Sequence, residues 1–308
     1  MKFLRELLAA ILGVLIAMGI MFVILMIFIS ASASAFGNDK AVTIKSNSIL
    51  ELNLESQIKD YAPKGDDPFA EILVTEEAQL GLQEILNAIE NAKTDDNIKG
   101  ISINTLFVNG GKAQTQAIRN KLMEFKESGK TVMAYSDFYL QSNYYLSSVA
   151  DSVFVNPVGE IDFRGLSTEI LYYKDLQEKS GVKMEVIRHG KYKSAVEPFL
   201  ANEMSDANRE QISSFLNSIW NEMIVDMARS RNKTVVELSE IADDLLARTP
   251  EMAIKNGLID NQLFNDEYND KLKVLAGTKK DEKLNSVSIS DYISSGKGRI
   301  KSSSSDKI

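Results

Sequence analysis

The chain has 308 residues, a formal net charge of −8, no cysteine and a single histidine. The negative balance argues against a nucleic-acid surface. The absence of cysteine excludes a disulfide framework and thiolate chemistry, and one histidine disfavours a His-based triad or a multi-histidine zinc site.

In chain order, the first element is an apolar run over residues 7–29 with no charged or strongly polar side chain. About 23 residues at ~1.5 Å rise cross a ~30 Å hydrocarbon core, so the run predicts one membrane-spanning helix. It is longer than the ~7–15 apolar residues of a cleavable signal peptide, although Ala31-Ser32-Ala33 and Ala33-Ser34-Ala35 imitate small-residue cleavage sites. Lys2 and Arg5 precede the run and the next basic residue is Lys40. By the positive-inside bias this leaves the N-terminus in the cytoplasm and exports the rest. Residues 1–36 are read as a signal anchor and 37–47 as a polar stalk.

The folded part opens with an alternating strand over 49–54, then a loop over 60–67 with Pro63, Gly65 and Pro68 in or beside it. Apolar residues at helical spacing predict a helix over 80–92, followed by a strand over 99–104 and a helix over 113–127 that stops at Gly129. The rhythm continues with a strand over 131–135, a helix over 144–150 and a strand over 152–155. Further on come a helix over 172–179, a strand over 183–188, amphipathic helices over 208–229 and 235–246, and a last helix from Pro250 to near Gly257. Alternating strands and helices imply parallel strands joined by helical crossovers, with functional groups on the loops at strand ends. One domain over 48–263 is expected; beyond it apolar density falls, and 264–308, ending in a Gly/Ser-rich stretch, reads as a linker.

Four local features bear on chemistry. Asn109-Gly110-Gly111 suits either a simple turn or backbone N–H groups aimed into a pocket, as an oxyanion hole requires. Ser142, within Gln141-Ser142-Asn143-Tyr144-Tyr145-Leu146 at a loop-to-helix junction, suits an N-cap or a nucleophile helped by the positive helix N-terminus. His189, between Arg188 and Gly190, reads as a solvated loop residue. Lys193 lies in Gly190-Lys191-Tyr192-Lys193-Ser194-Ala195-Val196-Glu197-Pro198-Phe199. A lysine acts as general base when burial or positive neighbours bring its pKa from ~10.4 toward ~7–8. Lys191 with apolar Ala195, Val196 and Phe199 suits that task, and the same segment also suits a plain solvated surface.

The segment 190–199 closely resembles the lysine motif in the N-terminal half of the signal peptide peptidase SppA (protease IV) family, long 67K type. The likeness extends to Gly100-Ile101 with Gly110-Gly111, to 141–146, to Asn156-Pro157-Val158-Gly159, to Gly165-Leu166-Ser167-Thr168, to Leu171-Tyr172-Tyr173-Lys174 and to 253–260. It implies an α/β fold, a ClpP/crotonase-like domain of repeated β-β-α units preceded by one transmembrane helix. It also implies a membrane-bound serine peptidase with a Ser/Lys dyad and no metal or organic cofactor. In the long form the N-terminal half supplies the lysine and the C-terminal half the serine, so the resemblance implies Lys193 as general base. It puts Gln141 at the nucleophile position, with Ser142 one residue out of register. The implied partners are signal peptides or other membrane-released peptides as substrate, the C-terminal repeat carrying the serine, the lipid bilayer and further copies in a homo-oligomer, with no nucleic acid. On this reading 264–308 leads toward a second repeat that is absent here. The implied location is the bacterial inner membrane, single-pass, with the catalytic domain on the periplasmic side. Two rival readings are a non-catalytic membrane scaffold of the same fold, favoured by Gln141, and a crotonase acting on acyl-CoA, whose reliance on acidic residues at a soluble thioester site suits an exported domain poorly.

Overall fold

The structure, a computed structural model, describes residues 2–36, 43–62, 79–187 and 189–299. An N-terminal helix and an α/β domain form separate units. The helix, α1, spans Lys2–Phe36, and its stretch Arg5–Phe28 is long and apolar enough to cross a membrane. Side chains such as Leu8, Met21 and Phe22 are exposed along it, which fits a single-pass anchor whose surroundings are lipid. The helix runs on through the small-residue sites at 31–35. Most of the predicted stalk and of the 60–67 loop, and all of 300–308, lie outside the described residues.

The strands of the α/β domain are β1 (Ser48–Leu52), β2 (Ile58–Lys59), β3 (Leu80–Gly81), β4 (Ile98–Asn104), β5 (Thr131–Ser136), β6 (Ser152–Val155), β7 (Asn261–Gln262) and β8 (Asn285–Ser288). Six form one sheet in the order β7-β6-β5-β4-β1-β8, and β2 pairs with β3 in a second. Every ladder is parallel. A parallel strand covered on both faces is buried along most of its length, and β4 buries residues 100–103, with Ile98, Ile101 and Ile103 fully buried. At Gly100 a Cβ would stand 2.7 Å from the Thr131 carbonyl oxygen and 2.8 Å from Leu275, so only glycine lets neighbouring layers approach this closely.

The helices are α2 (Leu82–Thr94), α3 (Lys112–Lys126), α4 (Gln141–Ser147), α5 (Lys174–Ser180), α6 (Glu197–Leu200), α7 (Asp206–Ser230), α8 (Val235–Asp243), α9 (Pro250–Lys255), α10 (Asn265–Ala276) and α11 (Ile289–Tyr292), with a π-helical turn at Ile293–Lys297. Local chemistry starts several of them. The Ser205 hydroxyl caps α7, Thr234 and Glu237 form a capping box on α8, and Thr249 caps α9 ahead of Pro250. Tyr268, Leu272 and Ala276 of α10 pack on Ile49, Met133, Tyr135 and Phe154 of the sheet. α2 and α3 pack on each other and bury Ile85, Ile89, Ile118, Leu122 and Phe125. Short second-layer pairings, β2 with β3 and the bridge Tyr139–Ile161, follow main-sheet strands. This gives the mixed α/β architecture with a parallel sheet that the strand–helix rhythm and the β-β-α resemblance predict.

Three expectations need correction. Residues 264–299 are not a linker: α10 covers the sheet and β8 forms its edge beside β1. A one-sided helix and an edge strand need few apolar residues, so low average hydrophobicity hides them. Of the strand expected over 183–188, residue 188 lies outside the described residues and 183–187 form no strand, because Met184 and Ile187 are exposed and extended backbone needs a neighbouring strand to pair with. Finally, α4 begins at Gln141 with Leu140 as its N-cap, so Ser142 lies inside the first turn and is not the cap.

Candidate active site

The loops after β4, β5 and β6 meet around the start of α4. Asn143 is fully buried and its Nδ2 donates to the carbonyls of Thr105 (3.1 Å), Leu106 (2.8 Å) and Phe138 (3.1 Å). One side chain thus joins the loop after β4 to the loop after β5. Gln141, which the resemblance puts at the nucleophile position, turns its Oε1 to the backbone N–H groups of Arg164 (3.2 Å) and Gly165 (3.1 Å). Its Nε2 and the Asn143 Oδ1 are buried with no hydrogen-bond partner among the described residues. A carboxamide in this position has no nucleophilic oxygen.

The Gly110-Gly111 loop lies against β2, with the Asn109 N–H donating to the Leu54 carbonyl and the Ile58 N–H to the Asn109 carbonyl. The Gly111 N–H donates to Gln114 Oε1 at 2.8 Å, and Gln114 Nε2 in turn donates to Asp60 at 2.8 Å. That amide therefore serves as a helix cap for α3 in this arrangement. His189 is exposed.

Lys193 is exposed on a tightly turned segment. The Ser194 N–H donates to the Tyr192 carbonyl at 3.1 Å and the Glu197 N–H to the Ser194 carbonyl at 2.9 Å, so turns enclose Lys193 on both sides. Gly190 takes φ +112°, a conformation L side chains rarely adopt, and a Cβ added there would stand 3.9 Å from Lys193 Cγ. Two elements hold the segment. On one side the Tyr173 N–H donates to the Pro198 carbonyl at 2.7 Å, Gln177 Nε2 to the Phe199 carbonyl at 2.9 Å, and the Tyr173 and Phe199 rings stack at 5.7 Å. On the other, the first turns of α7 contribute Asn208, which donates to Glu197 Oε2 at 2.6 Å, and Glu210, which accepts from the Tyr192 hydroxyl at 3.3 Å and pairs with Lys191 at 3.7 Å. Lys191 is thus engaged by Glu210 and raised above its ordinary pKa by the Tyr192 and Glu210 contacts.

Between this segment and α7 runs a cleft of about 400 Å³ lined by Ser194, Ala195, Pro198, Ile212 and Phe215 among others. Gln141 and Lys193 are held by different partners, the first by the loop after β6 and the second by α5 and α7. Sequence reading found the lysine segment but assigned no role to Asn208 or Glu210, which lie well downstream; the Ser205 cap that opens α7 is the one local signal at that point.

The model of peptidase family S49 matches residues 124–279, a span that contains Gln141, Lys193 and Asn208. The chain is 30% identical over 284 residues to "Protease 4" of Haemophilus influenzae, covering 88% of this chain and 46% of that protein. It is 34% identical over 220 residues to "Protease 4" of Salmonella typhi, covering 68% of this chain and 36% of that protein. It is 24% identical over 249 residues to "Serine protease SPPA, chloroplastic" of Arabidopsis thaliana, covering 81% and 35%. The chain therefore spans less than half the length of these relatives.

Proposed function

The chain belongs to peptidase family S49, and from that premise we propose that it provides the general-base half of a membrane-anchored serine endopeptidase using a Ser/Lys dyad. The observation that carries this reading is Lys193, exposed on a segment fixed by turns and by two helices. The nucleophile is a serine from a second, homologous repeat, since Gln141 stands at the matching position here. Neutral Lys193 takes the proton from that serine hydroxyl as its oxygen attacks a peptide carbonyl. The protonated amine then hands the proton to the leaving nitrogen, while backbone N–H groups stabilise the oxyanion. The burial a lysine base requires comes from the repeat that docks over the exposed segment. The substrates are signal peptides or other peptides released into the membrane, and the working form is a homo-oligomer. The chain crosses the bacterial inner membrane once, with its N-terminus cytoplasmic and the α/β domain on the periplasmic side, as the charges around the apolar run suggest.

The test is peptidase activity of the enzyme purified in detergent from its own membranes. Lys193→Ala is expected to lower kcat by about 100-fold or more, without a change in melting temperature. Full activity of that variant overturns the base assignment. The inactive-scaffold reading is favoured by one observation, the Gln141 carboxamide held by Arg164 and Gly165. It predicts that no serine in the native assembly reacts with a fluorophosphonate probe. The dyad reading predicts labelling of one serine outside residues 1–308, and labelling of Ser142 contradicts both.

A further inference from the structure

Lys193 has a long, flexible side chain on an exposed segment, and the segment itself must be fixed if its amine is to meet a partner hydroxyl repeatedly. We infer that Asn208 and Glu197 form a positioning pair that sets where Lys193 is presented, an inference that rests on Lys193 being the base. Glu197 is only 5% exposed and Asn208 only 3%, although both are polar. A buried carboxylate is unfavourable unless it is hydrogen-bonded, and the Asn208 Nδ2 supplies such a bond at 2.6 Å. Asn208 is itself fixed, because its backbone N–H donates to the Ser205 hydroxyl at 3.3 Å in the cap of α7.

From Glu197 the constraint passes to Lys193 through the backbone. The Glu197 N–H donates to Ser194, the Ser194 N–H to Tyr192 and the Ala201 N–H back to Glu197, a run of turns with no slack between carboxylate and lysine. Displacing Glu197 displaces that run. The other contacts from α7 are weaker in kind: Lys191, Tyr192 and Glu210 meet at 3.3–3.7 Å with both members of the Lys191–Glu210 pair well exposed. Exposed ion pairs contribute little. The buried Asn208–Glu197 bond therefore outweighs the Lys191–Glu210 pair among the contacts from α7.

Neither residue reaches the reacting atoms through this bond; they act through the placement of Lys193. A displacement of about 1 Å at a reacting group costs on the order of 100-fold in rate, so partial loosening predicts a smaller defect confined to kcat. The experiment uses the enzyme purified in detergent from its own membranes, assayed on a peptide substrate, with Lys193→Ala, Asn208→Ala, Asn208→Ser and Glu210→Gln. Asn208→Ala is expected to lower kcat about 30-fold with KM within about twofold, since a substrate-independent misplacement changes the chemical step and not binding. Asn208→Ser, which keeps a shorter donor, is expected to fall between Asn208→Ala and the native enzyme, and Glu210→Gln to stay within about threefold of native.

A folded Asn208→Ala enzyme with native kcat, or one whose loss is entirely in KM, overturns the inference. Should Asn208→Ala melt below the assay temperature, Asn208→Ser decides: a kcat loss at unchanged KM supports the pair and a native kcat overturns it. If Lys193→Ala is active, the base assignment and this inference fall together. If Lys193→Ala is inactive while Asn208→Ala is fully active, the inference alone falls.

Discussion

Arg119 shows how much a single side chain carries here. It is fully buried in α3, and its guanidinium donates to the Tyr145 carbonyl (3.2 Å), the Asp226 carbonyl (2.8 Å) and the Ser230 hydroxyl (2.6 Å) while lying 5.2 Å over the Tyr145 ring. The Tyr145 hydroxyl in turn donates to Asp226 at 2.7 Å. Arg119→Ala leaves these acceptors without their donor and opens a cavity, so it is expected to destabilise the domain by about 3–5 kcal/mol, read as a lower urea midpoint. The sequence held a signal for this: Thr115, Ile118, Arg119, Leu122 and Phe125 all lie on the buried stripe of α3, so the arginine falls in phase with the core. The lysine motif was equally legible because its residues are contiguous. Asn208 was not, since its bond to Glu197 depends on how α7 returns over the segment, which no local pattern encodes.

At the scale of elements, legibility followed burial. Strands covered on both faces and the helices between them announced themselves by apolar density and period, whereas 183–187 has strand-like residues but pairs with no strand among the described residues. The C-terminal elements escaped notice because each buries only a few apolar side chains, such as Tyr268, Leu272, Val287 and Ile289, and polar contacts add to their anchoring. Lys297 pairs with Asp95 at 2.9 Å and the Tyr292 hydroxyl donates to it at 3.0 Å, while Asn91 donates to the Lys297 carbonyl at 2.6 Å. Burial pushes the Asp95 carboxyl up, but the bonds from Lys297, the Asn97 N–H and Tyr292 outweigh it and hold it below its ordinary 3.8. A depressed carboxyl stabilises the fold above its unfolded value and loses that contribution as pH falls through the folded one. Hydrogen exchange of residues 289–299 is therefore expected to accelerate as pH is lowered below 3.8, relative to the acid response of Asp95→Asn, which lacks this titration.

Across the whole molecule, family membership rests on a span that begins at residue 124, yet the sheet it belongs to is built from both ends of the domain. β1 lies between β4 and β8, with Ser48 opposite Asn285. A chain ending at Leu284 leaves one edge of β1 without its partner, and an open strand edge invites pairing with other chains. Such a chain is expected to melt at a lower temperature and to aggregate, as light scattering would show. The order of synthesis gives the same pairing a further meaning. If the domain is delivered across the bilayer N-terminus first, β1 emerges first and must wait for the distant β8 before both its ladders are complete. Closure of the sheet is thereby tied to the delivery of β8, and until then one side of β1 stays unpaired and open to wrong partners.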